Sequence, residues 1–130
     1  MRAVFDYRAP AGQAVAVGAV VEVPFGRRSE VGVVVGVDAA TDVAPDKLKT
    51  VSSVCAAVAP LGDDWLDLCR FAAHYYLRGI GEVAVPALPP GLRDPKQWPR
   101  LLPPVQSLYR LAAGAQEALV ASLGARAKRA

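Results

Sequence analysis

Two valine runs between residues 15 and 37 constrain this chain more than any other feature. Val15, Val17, Val20, Val21 and Val23 form the first, and Val31, Val33, Val34, Val35 and Val37 the second. β-branched side chains are stiff at χ1 and pack well on a pleated surface, so both runs read as strands. Pro24-Phe25-Gly26 with Arg27-Arg28-Ser29-Glu30 marks a turn between them, and Ala11-Gly12-Gln13 marks an earlier one. Gly32 and Gly36 interrupt the second run, which predicts bulges or tight bends of the kind that close small barrels. After a polar loop over 38–47, Leu48-Lys49-Thr50-Val51-Ser52-Ser53-Val54 alternates apolar with polar and predicts a further strand.

Pro60 closes this β region, and Gly62-Asp63-Asp64 supplies an acidic helix start. Trp65, Leu68, Cys69, Ala72, Ala73 and Tyr76 fall at helical spacing and predict one apolar stripe, with Gly79 and Gly81 ending the helix. Glu82-Val83-Ala84-Val85-Pro86 reads as a last short strand. The expected fold is mainly β (α+β): a small antiparallel barrel-like domain over residues 1–94, with one packed amphipathic helix. Prolines 95, 99 and 103 predict an extended linker over 95–107. Residues 108–130 read as the opening elements of a second domain, too short to bury a core alone.

Hydrophobic residues make up 53% of the chain, enough for a real core and too many for a disordered segment. The net charge of +3 is unevenly placed. Residues 1–92 carry eight Lys/Arg against ten Asp/Glu, and 93–130 carry seven against two. A protein that coats phosphate non-specifically needs a broad basic face, so any nucleic-acid site here must be local. No apolar stretch approaches the roughly 20 residues that span a bilayer, and Asp6 comes too early for a secretory signal. Cys55 and Cys69 form no CxxC pair and read as small buried hydrophobes in a reducing cytoplasm.

Two short blocks mix residue types that packing alone does not require. In Phe5-Asp6-Tyr7 an acid sits between aromatics. One reading is a strand-end Asp that caps a turn, with both rings in the core. The other is a site in which rings stack on a base while the carboxylate accepts from a sugar hydroxyl. Stacking of this kind tolerates any base, and a carboxylate repels phosphate, which favours a free hydroxyl end. In Gly26-Arg27-Arg28 the two readings are a hairpin turn with solvated arginines, or a glycine that admits a ligand to the backbone beside phosphate-binding guanidinium groups. Lys49 alternates outward on its strand. His74 has no neighbouring cysteine or paired carboxylate and reads as an ordinary surface histidine. No Walker sequence, metal-ligand cluster or nucleophile elbow occurs, so the chain carries no catalytic machinery of a recognised kind.

The order of the blocks carries more than any one of them. Phe5-Asp6-Tyr7, Val23-Pro24-Phe25-Gly26-Arg27-Arg28, Gly32-Val33-Val34-Val35-Gly36, Leu48-Lys49-Thr50-Val51, Ala72-Ala73-His74-Tyr75-Tyr76 with Gly81-Glu82-Val83, and Ala87-Leu88-Pro89 follow in sequence. Over residues 3–94 this resembles the N-terminal domain of the primosomal N-prime (PriA) helicase family, and 95–130 more loosely resemble the opening of that family's winged-helix domain. The resemblance implies a module that captures the 3′-hydroxyl end of a nascent leading strand at a stalled fork, in the cytoplasm at the nucleoid. It implies a pocket of Phe5, Asp6, Tyr7, Gly26 and Lys49, to which the reading of the glycine-arginine block adds Arg27 and Arg28 as DNA-binding residues. Forked DNA, primosome proteins and single-stranded DNA-binding protein are the implied partners; no membrane is. ATP and zinc belong to later parts of the family's proteins, so no cofactor is expected in these residues. The family carries a further apolar strand before the Phe-Asp-Tyr block, whereas only Met1 to Val4 precede it here. This implies a truncated start or a barrel with one strand fewer, and a missing strand exposes a sheet edge. The alternative is a β-barrel interaction module that docks a protein through Phe5, Tyr7 and Phe25.

Overall fold

The computed structural model describes residues 4–37, 40–101, 112, 114, 115, 117, 118 and 120–122. Its framework is a three-stranded antiparallel sheet in the order β2-β1-β3. β1 (Val20–Phe25) pairs with β2 (Arg28–Val33) along its whole length, and with β3 (Ser53–Val54) through Val21 and Glu22. The two valine runs thus form a hairpin whose connection is only Gly26-Arg27. Gly26 takes φ +61°, the backbone region in which glycine has no steric penalty. Among the described strands the sheet is open, with no closure into a barrel.

β1 is central and covered on both faces, which is why its valines are not confined to alternate positions. On one face Val20 packs with Cys55, Leu88, Leu92 and Trp98. On the other Val21 and Val23 pack with Ala19 and Val51, backed by Tyr7, Val15, Val34 and Val54. Both cysteines are buried and unpaired, and burial pushes the Cys69 thiol above its ordinary value. Neither Gly32 nor Gly36 marks a bend: both lie outside the positive-φ region, and Gly32 pairs with Val21 inside the hairpin. The tight site is Gly18. At φ +88° its N–H donates to the Val34 carbonyl and its carbonyl accepts from Leu61 N–H, so an added Cβ would strike the Leu61 backbone.

The acidic helix start holds. Helix α1 spans Asp63–Tyr75, with Asp63 and Asp64 in its first turn. Its inward stripe is Leu66, Cys69 and Ala73, with Trp65 and Ala72 partly covered; Leu68 and Tyr76 face outward, contrary to the expected stripe. The helix is rotated so that Leu66, fully buried, takes the inward position. It ends before either glycine. Arg78 N–H donates to Ala73 O and Leu77 N–H to His74 O, a Schellman pair, and Leu77 itself takes φ +53°.

Residues 82–86 are helical, not extended: α2 covers Ile80–Ala87 and packs against α1. Ile80, Val83, Ala84 and Leu88 share one face at helical spacing and turn toward the body. Tertiary burial overrides the strand preference of the two valines. The proline-rich stretch does not begin as a linker either. Pro90–Arg93 and Pro95–Arg100 form 3₁₀ turns, the second capped by the Asp94 side chain accepting from Lys96 N–H. Trp98 is buried, and its indole N–H donates to Leu92 O at 2.9 Å. The packed unit therefore reaches past residue 94 to Leu101. Most of residues 108–130, expected to open a second domain, lies outside the described residues; 115, 117, 118 and 120–122 have helical backbone.

Candidate functional site

The N-terminal segment reaches the sheet through a parallel bridge. Arg8 N–H donates to Lys49 O at 2.8 Å, and Val51 N–H donates to Arg8 O at 2.9 Å. This sets Phe5-Asp6-Tyr7 beside Lys49 and the far end of β1. Glu22 O and Val20 O point toward the strand that follows residue 51, accepting from Ser52 and Cys55 N–H. By strand alternation Pro24 points the same way, beyond the end of β3, so its missing N–H breaks no ladder bond. Its carbonyl accepts instead from the Tyr7 hydroxyl at 3.0 Å. Burial pushes the Tyr7 phenol further above its ordinary value, and the neutral hydroxyl donates to that carbonyl.

With Tyr7 anchored, the ring on the other side of Asp6 meets the end of the hairpin. Phe5 and Phe25 pack edge to face at 5.2 Å and 78°, yet Phe5 remains 55% and Phe25 47% exposed. Half-exposed phenyl rings held in fixed geometry offer a flat apolar surface to a ligand. They border an open cleft of about 260 Å³, lined by Phe5, Asp6, Tyr7, Pro24, Phe25, Gly26, Val43, Lys47 and Lys49.

A loop closes the far side. The Asp6 carboxylate accepts from Thr41 Oγ1 at 2.8 Å through Oδ2, and Arg8 donates to the Pro45 carbonyl at 3.1 Å. The loop therefore runs between two tethers, and Val43 and Lys47 come to the cleft wall between and beyond them. One carboxylate and two ammonium groups give the site mixed charge with a cationic excess. An arrangement of this kind can stack a planar group, accept a bond from a hydroxyl, and attract an anion a few ångströms away. Among the described residues no group of three or more His, Cys, Asp or Glu could hold a metal ion.

The five residues of the implied pocket, Phe5, Asp6, Tyr7, Gly26 and Lys49, line this one cleft, and so does Phe25, named with Phe5 and Tyr7 for the docking alternative. Arg27 and Arg28 do not: they are exposed on the hairpin next to Gly26, off the cleft wall. Asp6 and Phe5 are exposed, so the reading of Phe5 as a core ring does not describe the fold, whereas Tyr7 is half-buried against the sheet. Pro24, Val43, Lys47 and Thr41 were not visible as site residues. Three of them lie in or next to a loop whose composition is that of any polar connection, and only the loop's path brings them in.

The fold and cleft define a small α+β binding domain whose site combines exposed aromatic rings, one carboxylate and paired lysines. Residues 1–89 match the family described as the PriA 3′ DNA-binding domain (3′BD), and the chain belongs to that family. It is 37% identical over 93 residues to the replication restart protein PriA of Haemophilus influenzae, and 32% identical over 114 residues to that of Synechocystis. These matches cover 69% and 76% of this chain but only 12% and 14% of the relatives, so the chain spans a small fraction of their length. Among the described residues no helix is long and apolar enough to cross a membrane.

Proposed function

We propose that this domain captures the 3′ end of a DNA strand by its terminal hydroxyl, without regard to base identity. The observation that carries the reading is the convergence of Phe5-Asp6-Tyr7, Phe25-Gly26 and Lys49 on one cleft from three separate parts of the chain. Asp6 accepts from the terminal 3′-hydroxyl. The exposed faces of Phe5 and Phe25 receive the terminal base, and a π-face is common to all bases. Gly26, with nothing within 4 Å of an added Cβ, leaves room for close backbone approach, and Lys49 attracts the last phosphodiester. Arg27 and Arg28 extend the cationic edge along which the strand leaves the cleft.

A 3′-phosphate would set two negative charges against the Asp6 carboxylate, so the same site that welcomes a hydroxyl repels a phosphorylated end. Within a longer replication-restart protein this preference directs the domain to an unfinished nascent strand at a fork. Primosome proteins and single-stranded DNA-binding protein are the partners this role implies. The ATP-driven unwinding and the zinc site of such proteins lie outside these residues.

Fluorescence anisotropy on two otherwise identical forks, ending in a 3′-hydroxyl or a 3′-phosphate, tests the reading. The hydroxyl end is expected to bind about tenfold more tightly, the scale of one charge-assisted hydrogen bond. Equal affinities would refute end recognition. Binding of both ends should weaken as salt rises, whereas a protein-docking surface built on Phe5, Tyr7 and Phe25 would be insensitive to salt.

A further inference from the structure

We infer that Thr41 is a positioning residue of the cleft, orienting the Asp6 carboxylate toward its ligand; the inference rests on the end-reading function above. Two hydrogen bonds make the case. Val43 N–H donates to Thr41 Oγ1 at 3.1 Å, a local turn in which the side-chain oxygen caps its own backbone two residues on. The Thr41 hydroxyl in turn donates to Asp6 Oδ2 at 2.8 Å, across 35 positions of sequence. A hydroxyl has one proton and two lone pairs. With one lone pair engaged by Val43, the proton is directed at the carboxylate, and the turn fixes where that proton lies.

The consequence falls on Asp6. Its side chain is exposed and would sample several rotamers in water. Among the described residues Thr41 is the only hydrogen-bond donor to it, and it engages Oδ2. None of those residues donates to Oδ1, the oxygen that accepts from an incoming hydroxyl. Thr41 thus divides the carboxylate into a held oxygen and a presented one, and the entropy of ordering Asp6 is spent before the ligand arrives. The Arg8 side chain tethers the same loop separately, at the Pro45 carbonyl between Val43 and Lys47 of the cleft wall.

A positioning role and a merely structural one have different signatures. Holding the loop in place serves every ligand of the cleft equally. Orienting Asp6 serves only a ligand that donates to it. The test uses the full chain with Thr41→Val, which keeps the shape and removes the hydroxyl, and Thr41→Ser, which restores it. Anisotropy is measured on the 3′-hydroxyl and 3′-phosphate forks. Thr41→Val should weaken the hydroxyl end about five- to tenfold and leave the phosphate end within twofold, and Thr41→Ser should bind as the unmodified chain does. If Thr41→Val weakens both ends alike, or neither, the positioning role is overturned while end recognition stands. If the unmodified chain itself shows no preference, end recognition fails, and the role of Thr41 falls with it.

Discussion

Among the described residues two groups of aromatic rings stand exposed, and they differ in what surrounds them. At the end of the hairpin Phe5 and Phe25 meet edge to face, beside a carboxylate, two lysines and a backbone carbonyl held by Tyr7. On the outer face of α1, Phe71 and Tyr75 stack at 6.0 Å and Tyr75 meets Tyr76 edge to face at 5.0 Å. Tyr75 and Tyr76 are both 68% exposed, more than either phenyl of the cleft. The charges beside the α1 rings cancel in pairs, Arg70 with Asp67 at 2.8 Å and Arg78 with Glu82 at 3.9 Å. Exposed aromatic area alone therefore does not make the site. Three chain segments meet at the cleft and bring polar groups to the rings, whereas the α1 rings come from one helix turn and its cap.

The comparison can be broken most directly at Asp6. Asp6→Asn removes the charge and turns the cleft into something closer to the α1 face, rings with no directing anion. The preference for a hydroxyl end should fall by about tenfold, to near parity, partly because the phosphate end is no longer repelled. Circular dichroism on the variant should show an unchanged melting temperature. A melting temperature that drops along with the preference would make Asp6 a structural cap of the Thr41 loop instead.

Truncating single rings sharpens the contrast. Phe25→Ala should lower affinity about tenfold for both ends, since stacking contributes roughly 1–3 kcal/mol whatever the terminal group. Tyr75→Ala, although it removes a more exposed ring, should change DNA affinity less than twofold. Comparable losses in the two variants would mean that DNA covers both aromatic groups. The smallest expected effect concerns stability alone. Leu77, at the α1 cap, is 88% exposed and held at φ +53°, a conformation that costs a residue with a Cβ about 1 kcal/mol. Leu77→Gly should raise the unfolding free energy by about that amount in urea titrations and leave both end affinities unchanged.

How far the chain could be read in advance varied with the range of the interaction. The β1–β2 hairpin was legible because its partners are sequence neighbours and Gly26 answers a local backbone demand. The α1 start was legible for a similar reason, since Asp63 and Asp64 act on the dipole of their own first turn. Its end was not. Gly79 and Gly81 looked like the stop, but Leu77 took the left-handed position because the capping bonds to Ala73 and His74 offset its strain. The helix over residues 80–87 and the inward turn of Trp98 were hidden because both depend on burial against Val20, Leu88 and Leu92 or against α1. Local propensity, taken alone, pointed to a strand and a linker.

The sequence by itself determined the hairpin and the acidic start of α1, and its ordered blocks, by their resemblance to the family, pointed to Phe5, Asp6, Tyr7, Gly26 and Lys49, which line one cleft. Backbone preferences and turn chemistry act over a few residues, so such features can be seen without the fold. Only the tertiary structure decided that Arg27 and Arg28 stay off the cleft wall, that Lys47 and Val43 join it, and that Thr41 holds Asp6. Those outcomes depend on the parallel bridge from Arg8 to Thr50 and on the path of the loop between its tethers. Contacts across 35 positions are set by which strands pair and where a loop must close, and residue type alone does not encode that.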